Sequence, residues 1–90
     1  MSPIVFYEKS LVFWFHSHDA INESRASVHI GYQTPDDFRD AKIWLEPEIE
    51  IARSGQTLQT HHLRRAMRIL KKEHKRVLEA WYDFRRDAGY

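Results

Sequence analysis

The sequence predicts an α+β protein in which an antiparallel β-meander of four or five strands packs on one long C-terminal α-helix. In residues 60–87, apolar side chains recur at steps of 4 and 3, the spacing that places them in one stripe on a helix. In residues 3–53, short β-rich segments alternate with turn sequences. Connections this short favour antiparallel neighbours. The 90 residues are expected to form a single domain, with the sheet at about residues 3–53 and the helix at about residues 58–87.

Strand character is confined to the N-terminal part of the chain. The predicted strands are residues 3–7, 11–16, 28–32, 41–45 and 49–53. Residues 18–27 are polar and are expected to form an irregular loop. Residues 34–37 carry turn chemistry, because proline presets φ and aspartate caps the local backbone, and residues 46–48 are expected to form a second turn.

The C-terminal helix is expected to begin after a threonine cap, Thr57 or Thr60. No Gly or Pro interrupts it, so we expect a continuous rod roughly 40 Å long at about 1.5 Å per residue. A five-residue strand spans only about 17 Å. The end of the helix, with Val77, Trp81 and Phe84, is therefore expected to overhang the sheet. An overhanging apolar stripe needs a cover, which predicts a protein partner or a homodimer through the helix.

Composition limits the functional classes. The chain has no cysteine, which excludes disulfides and thiolate metal sites and is typical of a reducing compartment. The longest apolar run, residues 11–15, is far shorter than the roughly 20 residues that cross a bilayer, so no membrane partner is expected. The N-terminus does not resemble a secretion signal, and the expected location is the cytoplasm.

Charge is distributed unevenly along the chain. Residues 1–60 carry 5 Lys/Arg and 9 Asp/Glu, whereas residues 61–90 carry 9 and 4. This asymmetry favours an anionic partner for the helix, and an acidic half that folds back on the basic half is an equal alternative. Four cations of the helix follow each other at steps of 4, 3 and 4 and form one line. They are Arg64, Arg68, Lys71 and Lys75. Such a line suits phosphate contacts or an acidic protein.

Strand alternation sorts the side chains of the sheet onto two faces. The apolar face, expected to meet the helix, has Phe13, Phe15, Val28, Ile30, Ala41, Ile43, Leu45, Ile49 and Ile51. The opposite face has Val12, Trp14, His16, Ser27, His29, Lys42, Trp44 and Glu50. Two tryptophans, two histidines and a lysine are an unusual selection for a solvated sheet face, and we treat this face as a candidate binding site.

Several interpretations of this face remain open. Tryptophans are stacking platforms for nucleic acid, worth about 1–3 kcal/mol per base, and they are also frequent anchors of protein interfaces. A catalytic interpretation makes His29 the general base of a metal-independent phosphodiester cleavage, with His16 or Lys42 supporting charge. The structural alternative is that Trp14 and Trp44 pack as a minor core. No metal or other cofactor is expected, because no recognised metal motif accompanies the histidines.

Several segments resemble a bacterial family known only as domain of unknown function 4160. The segments that carry the resemblance are FWF at 13–15, RASVHI at 25–30, AKIWLEP at 41–47, IARSG at 51–55 and EAW at 79–81. Many members have a His-x-His-Val segment where this chain has Ser27-Val28-His29-Ile30, so the first histidine is absent here. The resemblance implies a small bacterial protein that often lies beside a second small protein, of the domain of unknown function 2442 family, in toxin–antitoxin-like pairs. It also draws attention to Glu46, which lies in a family-like segment.

These observations favour a small cytoplasmic interaction protein, one component of a toxin–antitoxin-like two-gene module, with a neighbour-encoded small protein as its partner. The alternative is a nucleic-acid-binding protein or a metal-independent ribonuclease with His29 as general base.

Overall fold

The computed structural model describes residues 3–89 and confirms the α+β architecture. The strands are β1 (Ile4–Glu8), β2 (Leu11–Trp14), β3 (Ser27–Tyr32), β4 (Ala41–Trp44) and β5 (Glu50–Arg53). The helices are α1 (Ser17–Asn22), α2 (Thr60–Lys72) and α3 (His74–Asp87). Every strand pairs antiparallel with its sequence neighbours, in the order β1-β2-β3-β4-β5, as the short connections predicted. No helix in this part of the chain is long and apolar enough to cross a membrane.

The core lies between one face of the sheet and the pair α2 and α3. Its buried members are Leu11, Phe13, Phe15, Ala26, Val28, Ile30, Ala41, Ile43, Leu45, Ala66, Leu70, Val77 and Trp81. Strand alternation predicted most of the sheet's contribution. Two predicted members differ, since Ile49 is only partly buried and Ile51 is 42% exposed. The helices cover the middle of the sheet and leave its last strand, β5, incompletely covered.

The C-terminal helix is divided, contrary to the prediction of one continuous rod. At Glu73 the backbone leaves helical geometry (φ −101°, ψ 18°), and α3 starts at the next residue. The imidazole of His74 donates a hydrogen bond from Nε2 to the Leu45 carbonyl at the end of β4. This contact across the fold holds the chain at the bend, although no Gly or Pro breaks the helix there.

The apolar residues of α3 pack on the core of the sheet, and the expected overhang is wrong. Val77 is fully buried and Trp81 is 1% exposed. The Phe84 ring stacks on Phe15 of the core, with centroids 5.5 Å apart. The apolar stripe is thus covered within the chain, and this stripe no longer provides a reason for a homodimer through the helix.

Residues 18–27, predicted as an irregular loop, contain the short helix α1. The side chain of His16 caps α1 by accepting a hydrogen bond from the backbone N–H of His18. This helix places Asp19 against the sheet face that is turned away from α2 and α3, here called the far face. Ser27, His29 and Lys42 of that face all contact Asp19.

The loop between β3 and β4 is fastened over the far face by the fully buried Asp40. Its carboxylate accepts hydrogen bonds from Trp14 Nε1 (2.9 Å), Thr57 Oγ1 (2.7 Å) and the backbone N–H of Asp36 (2.8 Å). Gly31 leaves room for this carboxylate, because a Cβ there would lie 2.2 Å from Asp40 Oδ2. This loop and the segment that precedes α2 are therefore joined through one acidic side chain.

Candidate functional site

The far face has the side chains that strand alternation predicted for it. Strand register sets Trp14 beside His29 and His29 beside Lys42, while Trp44 lies beside Ser27 in the next row. The rings of Trp14 and His29 are in contact, with centroids 4.6 Å apart. The sheet therefore brings together four of the residues singled out from the sequence.

This face is enclosed at Trp14 and His29, whereas Lys42 and Trp44 are partly exposed. Trp14 is fully buried and its indole N–H is bonded to Asp40, so in this structure its ring is not accessible for stacking on a base. His29 is 3% exposed. Alternation could assign these side chains to a face, but it could not reveal that α1 and the loop before β4 cover that face.

An ionic cluster, buried at Asp19 and His29 and partly exposed at Lys42 and Glu23, connects α1 to the far face. It consists of Asp19, Glu23, His29 and Lys42. The Asp19 carboxylate lies 2.8 Å from His29 Nε2 and 3.7 Å from Lys42 Nζ, and Lys42 also pairs with Glu23. Burial alone would raise the pKa of Asp19, but its hydrogen bond with His29 and the attraction of Lys42 outweigh burial. Together they hold that pKa well below its usual value of 3.8.

The geometry of this cluster selects one tautomer of His29. An ionised Asp19 accepts the proton of His29 Nε2, so in the neutral imidazole the unprotonated ring nitrogen is Nδ1. His29 Nδ1 is buried and has no hydrogen-bond partner among residues 3–89. A carboxylate–imidazole pair of this kind has the composition of a general base, but a substrate could reach this nitrogen only if its cover moved.

His16 lies at the margin of the same face, and its side chain is 24% exposed. Its Nδ1 accepts the capping hydrogen bond of α1, and its Nε2 lies 3.4 Å from an oxygen of Asp37. Both ring nitrogens therefore have structural contacts. Within residues 3–89 no group of three His, Asp or Glu side chains is arranged to hold a metal ion.

Trp44 and Glu46 are also engaged within the fold. The Arg25 guanidinium lies 4.3 Å from the centre of the Trp44 ring, and the Lys42 ammonium lies 4.7 Å from it. Cations over an indole face stabilise such a pair by about 0.5–1 kcal/mol at exposed positions. The Glu46 carboxylate accepts hydrogen bonds from Tyr82 Oη at 2.7 and 2.8 Å and ties α3 to the end of β4.

An open apolar groove lies instead between β5 and α2, and we call it the β5–α2 groove. It is lined by Ile51, Thr60, Leu63, Arg64, Met67, Arg68 and Lys71, and its volume is about 440 Å³. Three of the four cations predicted as a line, Arg64, Arg68 and Lys71, form its basic rim. The fourth, Lys75, lies on α3 beyond the bend and does not line the groove.

Sequence patterns had assigned the floor of this groove to the core. Ile51 was expected to face the helix, and Leu63 and Met67 belong to the apolar stripe of residues 60–87. The predicted faces of the strand and of the helix were therefore correct. The groove arises because α2 packs over the central strands and not over β5. Only the lateral position of the helix on the sheet distinguishes a core residue from a groove residue here.

The outer edge of β5 adjoins the groove. β5 is the last strand in the sheet order, and its four residues are all exposed. One side of β5 pairs with β4, and within residues 3–89 no strand pairs with the other side. The groove and this strand edge together form a continuous surface with apolar, cationic and backbone hydrogen-bonding groups.

A family model described as "Domain of unknown function (DUF4160)" matches residues 11–82. The matched region includes β2 to β5, the far face and all residues of the β5–α2 groove. No curated protein and no solved structure matches the sequence.

Proposed function

The chain belongs to the family of the domain of unknown function 4160, and from this premise we propose that it is a small cytoplasmic interaction protein. It acts as one component of a toxin–antitoxin-like two-gene module and binds a neighbour-encoded protein partner in the β5–α2 groove. The observation that carries the proposal is the groove itself, which combines an aliphatic floor with three rim cations beside an unpaired strand edge.

The floor supplies the affinity in this proposal. Ile51 is 42% exposed, and Leu63 and Met67 are partly buried. Burying the rest of such a side chain stabilises a complex by about 1 kcal/mol, a part of the 1.5–3 kcal/mol for full burial. The rim cations add little affinity at physiological salt, but they speed encounter with an acidic partner and orient it.

The groove favours a protein over a nucleic acid. Sites for single-stranded nucleic acid combine cations with exposed aromatic rings on which bases stack. No aromatic side chain lines the β5–α2 groove. Trp14 is buried. A ribonuclease with His29 as general base is less well supported, since that side chain is 3% exposed.

The proposal is tested by co-expressing the chain with the protein encoded beside it and isolating the chain through an affinity tag. Ile51→Thr is expected to weaken co-purification severalfold because it removes part of the floor. Ile4→Thr is the matched control, since Ile4 is 43% exposed on β1 at the opposite edge of the sheet. Equal co-purification by the two variants would contradict docking in the groove.

Charge provides a second pair of variants. Lys71→Glu reverses a rim charge, whereas Lys75→Glu makes the same change on the exposed surface of α3 outside the groove. Only the first is expected to weaken the complex.

The module itself is tested by growth: expression of one partner alone should slow the host, and co-expression of the other should restore growth. Growth unaffected by either gene would argue against a toxin–antitoxin-like pair.

A further inference from the structure

We propose that the partner enters the β5–α2 groove as an extended acidic strand that adds to the outer edge of β5. This inference rests on the proposed function and specifies the chemistry of the segment that is bound. The segment carries an aliphatic residue that points into the groove and an acidic residue on each side of it, at alternate positions of the strand.

The edge of β5 is suited to strand addition. Exposed strand edges are commonly protected by proline or by a charged side chain that points inward. β5 (Glu50–Arg53) contains no proline, and its helix-facing side chain is the aliphatic Ile51. Its register with β4 shifts between Ile51 and Arg53, so an added strand has to follow an irregularity at Ala52. The opposite edge strand, β1, is preceded by Pro3. An added strand would bond to the free backbone groups of β5, the mode of recognition in which main-chain bonds give affinity.

The space beside β5 is suited to the side chains of such a strand. Ile43 on β4 is fully buried, whereas its register partner Ile51 on β5 is 42% exposed, because α2 does not extend over β5. An added strand would lie about 4.8 Å beyond β5. Every second side chain of this strand would then point toward Leu63 and Met67, and an aliphatic residue there would complete the core layer that α2 leaves open.

The charge of the rim selects an acidic segment. Arg64, Arg68 and Lys71 have no salt bridge with any residue in the range 3–89. Arg64 and Lys71 are separated by about 10 Å along α2, which is the length of about three residues in a strand. Carboxylates on either side of one inward aliphatic residue would therefore lie within reach of the three cations.

A second copy of this chain fits the edge less well. Antiparallel pairing of β5 with its own copy would place Glu50 opposite the partner's Arg53, which is favourable for the strands alone. The same pairing would also bring two sets of Arg64, Arg68 and Lys71 to one interface, and like charges there would oppose association. Charge thus favours a partner of opposite sign over self-association.

The test uses the full-length chain labelled with ¹⁵N and a capped peptide of sequence Thr-Asp-Thr-Ile-Thr-Glu-Thr. The peptide is expected to shift the backbone amide signals of β5. Replacing its Asp and Glu by Asn and Gln should weaken binding about tenfold at low salt, since both carboxylates that pair with the rim cations are lost, and high salt should reduce this difference. Lys71→Glu should weaken binding of the acidic peptide, and Lys75→Glu should not.

Two N-methylated forms of the peptide, with methyl groups on one or the other alternating set of amides, test the strand geometry. Only one set faces β5 in an added strand, so one form should lose binding and the other should keep it. Equal effects of the two forms would overturn strand addition. Signals of β5 that shift with protein concentration alone would instead indicate a second copy, and shifts caused by an oligouridylate but not by the peptide would indicate RNA.

The two levels of the proposal fail in different ways. If the peptide tests fail while co-purification of the neighbour-encoded protein still depends on Ile51, the groove binds a partner in another conformation and only the strand inference is wrong. If co-purification does not depend on Ile51, the proposed function at this groove is wrong.

Discussion

Replacing Asp19 by asparagine removes the negative charge at the centre of the ionic cluster with almost no change in shape. The asparagine oxygen can still accept the proton of His29 Nε2, and Lys42 keeps its contact with Glu23. The variant therefore loses two contributions to its free energy of unfolding. Its hydrogen bond with His29 becomes a neutral one, which is weaker than a charged one, and its attraction for Lys42 is weakened. We expect Asp19→Asn to lower the free energy of unfolding by about 2 kcal/mol at pH 7.

The cost of this substitution should depend on pH. The pKa of Asp19 in the folded protein lies well below its usual value of 3.8, so its carboxylate stabilises the fold above the unfolded-state pKa. That contribution is lost as pH falls through 3.8 toward the lower folded-state pKa. Below about pH 5, the free energy of unfolding of the wild type should therefore fall relative to that of Asp19→Asn. The difference between the two should be about 1 kcal/mol smaller at pH 3 than at pH 7.

The assay is urea-induced unfolding followed by tryptophan fluorescence at several pH values, with free energies from linear extrapolation. Asp83→Asn is the matched control, because the side chain of Asp83 is 61% exposed in its ion pair with Arg86. That substitution should change stability by less than about 0.5 kcal/mol. An Asp19→Asn variant as stable as wild type at pH 7, or a gap that does not narrow in acid, would refute the ionic account of this cluster.

Two further predictions concern contacts that hold the loops and α3. Asp40→Ala leaves the indole N–H of Trp14 and two other donors without their acceptor, and it should cost about 3 kcal/mol or more in urea unfolding. Thr57→Val removes one of those donors and should cost about 1 kcal/mol; equal losses would show that Asp40 is not the common acceptor. The hydrogen bond to the carboxylate of Glu46 raises the pKa of Tyr82, so Tyr82 should ionise above the ordinary range of a tyrosine. A titration of phenolate absorbance in which Tyr82→Phe removes an early phase rather than a late one would contradict this contact.

The composition of the far face follows from the sequence because side-chain direction in a strand has a period of two. Trp14, His29, Lys42 and Trp44 share this face for that reason alone, and they do so in the structure. The environment of these side chains was not predictable in the same way. The polar segment at residues 18–27 has no apolar periodicity. Its short helix is held by the contacts of Asp19 with side chains of β3 and β4.

The division of the C-terminal helix has a similar origin. Its apolar period of 4 and 3 predicted the helical region and the buried positions Leu70, Val77 and Trp81 correctly, whereas Leu63 and Met67 of the same series are only partly buried. The bend at Glu73 has no Gly or Pro as a local signal, and the contact beside it joins His74 to the end of a strand that is distant in the sequence.

The sequence alone therefore determined the strands, the C-terminal helical region, the meander order and the face on which each strand side chain emerges, since periods of 2.0 and 3.6 residues are properties of the local backbone. Tertiary structure decided which face is accessible. α1 and Asp40 close the far face, and the lateral position of α2 leaves β5 uncovered and opens the groove. Accessibility depends on how layers are placed relative to one another, and no local period encodes that placement.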